Sequence, residues 1–512
     1  MPSPEPTEAP AAPRSGFGTR AGSLPAIGVA GALAVVIALH LGLVDAGQWS
    51  GDEYFNFSDL RLAGPSYFMH RLLTWSPRPF SEALVFAYYL AVRATWNPLI
   101  GPFLLIFWAM LIGCTLAHVF RSDRTRILPR LLLGVAVLTS FLLGHPVAEM
   151  FYWPMGAAAY LPCLAGISYF VVAVLDGRLA GVGGRRASAV ALTLAAGSAE
   201  LGALFVAGLV PLLVLDRLRR RMPLPWWTLV PFGLSIWVVV TAALGRGHEL
   251  GLVANSPTLH HLWPSAKAAA ARNGLEFVRL GPPAVGWGAL LLGVSVRILT
   301  FSGFRWCLRR GGFGPAPASH LWALVLALFA ACFVSTVAIY DRYGVLCCER
   351  QGTFRECAYV LMVLALAGLG QRISRPAFLD WTAAGPAALL LAALLALPGR
   401  AADLVASYRM YPCTLQARAE TWRDAARPSH EMLFSDQSSP LVRSILWPAG
   451  RFTRDPNLPW GKPWYARDPH LRLPSTTPWY IWGLLSFFAK DAIRIAPPVT
   501  DDLAKLQPAR YR

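Results

Sequence analysis

Asp52 and Glu53 stand just past the first long apolar run, in Gln48-Trp49-Ser50-Gly51-Asp52-Glu53-Tyr54-Phe55. A carboxylate within hydrogen-bond reach of a hydroxyl can take its proton as the oxygen attacks, which is general-base chemistry. An acidic pair in an open loop would only be solvated, so its neighbours decide its meaning. Other polar residues also sit beside the ends of apolar blocks: His70, Arg71, Arg78 and Glu82; Glu149, Tyr152 and Trp153; Glu200; His260 and His261; and Asp341, Arg342, Glu349, Arg350, Arg355 and Glu356. The arginines matter because a planar guanidinium meets phosphate oxygens with two hydrogen bonds and steadies a departing phosphate. Arg350 and Arg355 are the first candidates for that role, followed by Arg342 and then Arg71 and Arg78, while Asp341, Glu349 and Glu356 could instead hold them in ion pairs. Glu200 interrupts two apolar half-blocks in Gly197-Ser198-Ala199-Glu200-Leu201, where an ionisable group is costly unless it faces a polar cavity.

The elements that must position these residues are membrane helices. Of the 512 residues 55% are hydrophobic and 14% charged, the mean hydropathy is +0.46, and the apolar residues recur in blocks long enough to cross a bilayer. The expected spans are 25–44, 99–120, 128–144, 154–175, 187–199, 201–216, 226–244, 283–301, 319–340, 355–371 and 379–397, eleven in all. The net charge of +18 does not signal nucleic acid, because the basic residues cluster in short loops such as Arg121 to Arg130 and Arg217 to Arg221. With those loops cytoplasmic the positive-inside rule holds throughout, the N-terminus is inside and the C-terminus outside.

The chain then divides into a disordered cytoplasmic leader (1–24), a transmembrane domain (25–397) and an external Trp- and Pro-rich region (398–512). Within the second, residues 45–98 form an external loop whose half-apolar block at 83–97 is expected to lie as a helix at the interface. The region after 398 is expected to be small and mostly irregular, packed on the outer helix ends, with a late apolar stretch near 479–489 too short to span. Of the eight cysteines, Cys347 or Cys348 could bridge to Cys357 or Cys413 on the outer side. Neither a phosphate-binding Gly-rich loop with its Lys, a Gly-x-Ser-x-Gly elbow nor a His-Glu-x-x-His motif is present.

The first span, the loop with Gly51-Asp52-Glu53-Tyr54, the interfacial helix entered through Ser76-Pro77-Arg78-Pro79-Phe80-Ser81-Glu82, the run Phe151-Tyr152-Trp153-Pro154-Met155-Gly156-Ala157-Ala158-Ala159-Tyr160-Leu161-Pro162 and the Ser198-Ala199-Glu200 turn together resemble the C-type (GT-C) membrane glycosyltransferases, which use polyprenyl-phosphate sugars. The likeness covers topology over most of the chain and leaves the region after 398 unmatched. It implies an all-α polytopic fold and inverting transfer of a sugar from a polyprenyl-phosphate donor to a cell-envelope glycan, lipid or protein acceptor, on the external face of a bacterial cytoplasmic membrane. It implies Asp52 as base with Glu53 second. Donor phosphate would fall to Arg350, Arg355, Arg342, Arg78 and Arg71, and the acceptor cavity to His70, Glu149, Tyr152, Trp153 and Glu200. No cofactor is required, the alternative being a divalent ion on Asp52 with Glu149 or Glu200. Two other classes remain. A lipid-linked-sugar flippase or transporter should show repeated halves and mid-bilayer charges. An O-antigen polymerase or ligase would use the loop 245–282, with His248, His260, His261, Lys267, Arg272 and Arg279.

Overall fold

The computed structural model describes residues 23–143, 146–249, 259–278, 287–314, 316–343, 349–371, 384–435, 439–442, 447–453 and 479–496. Among these described residues seventeen α-helices and three strands follow in chain order. They are α1 Ser23–Leu41, α2 Gly51–Ala63, α3 Pro65–His70, α4 Pro79–Thr95, α5 Ile100–Leu116, α6 Ile127–Leu143, α7 Pro154–Leu175, α8 Val182–Ser198, α9 Glu200–Arg219 and α10 Leu229–Glu249. After them come α11 Leu259–Val278, α12 Trp287–Arg310, α13 Ala318–Tyr343, α14 Glu349–Gly370, α15 Gly385–Ala396, α16 Pro398–Ala425, β1 Glu431–Ser435, β2 Gly450–Thr453, α17 Trp479–Phe488 and β3 Ala492–Ala496. Proline opens the first turn of α3, α4, α7, α15 and α16, where its missing N–H costs nothing and its fixed φ already suits a helix.

Among the described residues eight helices are long and apolar enough to cross a bilayer: α1, α6, α7, α9, α10, α12, α13 and α14. A ninth is reached if α15 and α16, bent by 64° at their junction, count as one span. This differs from the eleven expected. The blocks at 99–120 and 187–199 become α5 and α8, of 17 residues each, where α6 reaches 20 with the turn that precedes it; of 379–397, residues 379–383 lie outside the described residues and Gly385–Ala396 is the 12-residue α15. α7 lies at the centre, with 94% of its span window buried against neighbours, whereas α10 leaves most of its surface free at 22%. Glycines let the central helices close up: a Cβ at Gly166 in α7 would strike the Ala191 carbonyl of α8, and one at Gly202 in α9 the Ala195 carbonyl.

The described residues of the region after 398 form regular elements. Its first 28 residues are the single helix α16, and β1, β3 and β2 lie side by side in that order, β1–β3 parallel and β2–β3 antiparallel. The outer edge of β1 is satisfied by α16, where Asp424 accepts from the Leu433 N–H at 2.6 Å and Thr421 from the Ser435 N–H at 3.2 Å. The late apolar stretch is α17, and it docks on α2. Arg61 donates to the carbonyls of Ser486 (2.5 Å) and Phe487 (3.1 Å), Ser58 hydrogen-bonds Ser486, and Trp49 meets Tyr54, Phe57, Trp422 and Phe487 edge-on. Cys357 and Cys413 are free thiols, and Cys347 and Cys348 lie outside the described residues.

Candidate functional site

α2 begins with a capping box. Ser50 is its N-cap, the Ser50 hydroxyl accepts from the Asp52 N–H at 3.2 Å, and the Glu53 carboxylate reaches back to accept from the Ser50 N–H at 2.8 Å. Glu53 also accepts from Trp153 Nε1 at 2.7 Å, from the Met155 N–H at 3.1 Å and from Ser50 Oγ at 3.2 Å, and it is fully buried. Burial drives its carboxyl up to about 8; the bond from Trp153 opposes the rise, Asp52 adds to it, and the backbone donors of Met155 and Ser50 oppose it again. Glu53 therefore ties α2 to the start of α7. Asp52, one residue earlier, is half-buried, and its carboxylate makes no hydrogen bond or ion pair with any other described residue.

Trp153 carries the contact onward. Its ring lies under the Arg350 guanidinium, 4.8 Å from centroid to Cζ. Arg350 sits in the first turn of α14, its backbone N–H donates to Glu149 Oε2 at 3.1 Å, and its Nη1 is 3.8 Å from the same oxygen. Glu149 projects from a π-turn, Ala148–Tyr152, packed on α7 at Gly156, where any Cβ would collide with the Glu149 carbonyl. Glu53, Trp153, Arg350 and Glu149 are thus one connected group, built from α2, the π-turn and the starts of α7 and α14, with Asp52 next to Glu53 in the chain.

Asn56, one turn after Asp52, links a second group. Its amide donates to the Asp52 carbonyl at 2.7 Å and lies 3.6 Å from Met155 Sδ, while its oxygen accepts from Tyr67 OH at 2.7 Å and from Arg71. Arg71 meets Glu82 of α4 with two bonds, 2.8 and 3.1 Å. Burial raises the Glu82 pKa, but the Arg71 guanidinium more than offsets this and holds the carboxyl below its ordinary value. Arg78, at the N-cap of α4, pairs with Glu200 at 3.1 Å, so the Glu200 turn is held to the α4 entrance. His70 ends α3 half-buried, next to Arg71.

Two residues point elsewhere. Tyr152 turns into the bundle, where its hydroxyl meets His40 Nδ1 at 2.7 Å and the His40 carbonyl at 3.0 Å. Arg355, five positions after Arg350 and so about 140° around α14, is buried against α11, where Glu276 accepts from it at 2.6 and 3.0 Å. Glu276 also takes Arg272 at 2.5 Å, and Arg297 of α12 pairs with Glu356. The Arg342 side chain lies outside the described residues.

Sequence reasoning missed Asn56, Glu276 and Arg297. The Arg272-x-x-x-Glu276 spacing on one helical face was the available signal for Glu276; Asn56 and Arg297 had none. Among the described residues no three His, Cys, Asp or Glu side chains come together as a metal site; Glu149 and Glu200 each face an arginine. Comparison with protein-family models, with curated proteins and with solved structures finds no match.

Proposed function

We propose that this protein is an integral-membrane glycosyltransferase that moves a sugar from a lipid-phosphate donor to a hydroxyl acceptor, with Asp52 as general base and Arg350 on the departing phosphate. One observation carries the reading: an unpaired carboxylate at the head of α2 and a half-buried guanidinium at the head of α14 are joined through Glu53 and Trp153. The acceptor hydroxyl gives its proton to Asp52 as its oxygen bonds to the anomeric carbon, and the carbon–phosphate oxygen bond breaks with its electron pair passing to the phosphate. Arg350 suits that developing charge because its guanidinium lies over the Trp153 ring at the head of α14, 3.8 Å from Glu149, in the group that also holds Glu53. Glu53 and Trp153 act as positioning residues. Arg71 and Arg78 are committed to Glu82 and Glu200.

The test is reconstitution with a polyprenyl-phosphate sugar and a glycan acceptor, following both release of lipid phosphate and movement of intact donor across the bilayer. Asp52→Asn should slow release by about 100-fold with donor affinity nearly unchanged. Arg350→Ala should lower both rate and affinity, with Lys restoring only part. Movement of intact donor without cleavage, lost in the Arg350 variants, would replace the transferase with a flippase.

A further inference from the structure

α11 lies along the membrane-crossing helix α13 and also touches α12 and α14, but its faces are reversed from those of a helix packed in water. Ser265, Ala269, Asn273 and Glu276, at i, i+4, i+8 and i+11, are buried along one side. The two largest are satisfied inside the protein. The Asn273 amide donates to the Ala269 carbonyl at 2.8 Å and its oxygen accepts from Tyr359 OH at 2.7 Å, while Glu276 accepts from Arg355 and Arg272. The opposite side carries Trp263, Lys267, Ala270, Ala271, Gly274 and Leu275, apolar but for the lysine, with Trp263 67% and Leu275 43% exposed. In water, packing would put the tryptophan and leucine inside and the amide and carboxylate outside, because removal of apolar surface from water drives it. In hydrocarbon the preference inverts: polar groups must find partners within the protein, and apolar side chains lose nothing by facing lipid. Hydropathy passes over α11 because Lys267, Arg272 and Glu276 dilute it.

We propose that α11 is embedded in the bilayer, with the face that carries Trp263 and Leu275 against lipid chains and the polar face against α13 and α14. Two of the helices it touches, α12 and α13, are long and apolar enough to cross, and they leave Leu291, Ile298, Leu326 and Phe329 exposed. Lys267 lies over the Trp263 ring at 5.2 Å. Its long stem carries the ammonium towards head-group phosphates, while the ring takes the boundary position that tryptophan favours. With the basic runs at 217–221 and 305–310 both cytoplasmic, α10 leads outwards and α12 leads back. α11 therefore enters and leaves from the outer side and adds no crossing, a membrane-inserted wall beside Arg355 in place of an aqueous loop. This holds for a transferase and for a transporter alike.

The experiment is footprinting of the full-length protein in liposomes of phosphatidylcholine and phosphatidylglycerol with two reagents, a lipid-phase aryl diazirine and hydroxyl radicals generated in the water, read by peptide mass spectrometry. Leu433 is the aqueous control: it is 43% exposed, as Leu275 is, and stands on β1 opposite the exposed Arg494 of β3. Ile298 of α12 is the lipid control. Leu275 should take the diazirine as Ile298 does and lose the radical oxidation that Leu433 shows. Oxidation of Leu275 equal to that of Leu433 would place α11 in water. Absence of diazirine from Leu275 where Ile298 is labelled would place another protein surface over this face. Either result overturns the proposal, and since neither readout involves sugar transfer, the outcome is separate from that of the transferase test.

Discussion

At Glu53 four hydrogen bonds converge on a fully buried carboxyl. Its value of about 8 lies above the ordinary 4.5, so the folded protein holds a proton there that the unfolded chain has lost. The linkage has a definite sign: stability falls as pH rises through the window from about 4.5 to about 8. Thermal unfolding in detergent at pH 5.5 and 8.5 should show a loss that Glu53→Gln flattens; an equal loss in that variant would place the titrating group elsewhere. Trp153→Phe keeps a ring beneath Arg350 but deletes the N–H to Glu53, leaving a buried acceptor short of one donor at a cost of about 1–3 kcal/mol. Trp153→Leu removes the ring as well and should additionally weaken donor binding, a difference that melting curves beside donor titrations will separate. The Ser50-x-x-Glu53 spacing carries a capping-box signal that the sequence reading passed over when it took Glu53 as the second candidate base. The partner Trp153 carries no such signal, because nothing local relates positions a hundred residues apart.

Elements show the same division. The helices α1, α6, α7, α9, α10, α12, α13 and α14 follow from runs of apolar residues and needed only counting. α11 did not: it was taken as part of a loop because it is short of apolar residues, yet it carries Glu276 to Arg355 and the Asn273 amide oxygen to Tyr359 OH at 2.7 Å. Glu276→Gln should cost about 3–5 kcal/mol by stranding the Arg355 charge, and the double variant with Arg355→Met should recover much of it. A double-mutant cycle on unfolding checks this, and additive losses would show that the pair does not hold α11 to α14. α17 offers a simpler case. A Cβ on Gly483 would lie 2.9 Å from the backbone nitrogen of Phe55, so Gly483→Val should lift α17 from α2, at about 1–3 kcal/mol, and speed proteolysis near Ser486.

For the whole molecule the positive-inside rule, applied to the basic loops, predicts an orientation that can be measured. With α10, α12, α13, α14 and the bent pair α15–α16 each crossing once, a cysteine at Arg219, after α9, and one at Ser429, after α16, should be labelled by an impermeant reagent from opposite sides of the membrane; labelling of both from the same side would remove the bent pair from the spans. Composition and block length by themselves determined that this is a polytopic helical protein, since the bilayer sets the length and polarity of a spanning segment and both can be read residue by residue. Against the eleven spans expected, eight or nine helices among the described residues are long and apolar enough to cross, because a hydropathy run says how apolar a segment is but not where its helix starts, bends or stops. The association of Glu53, Trp153, Glu149 and Arg350, the turning of Arg355 towards Glu276 and the docking of α17 on α2 were decided only by the tertiary structure. Each is a contact between segments far apart in the chain, fixed by helix rotation and close packing, and neither quantity is written in local sequence.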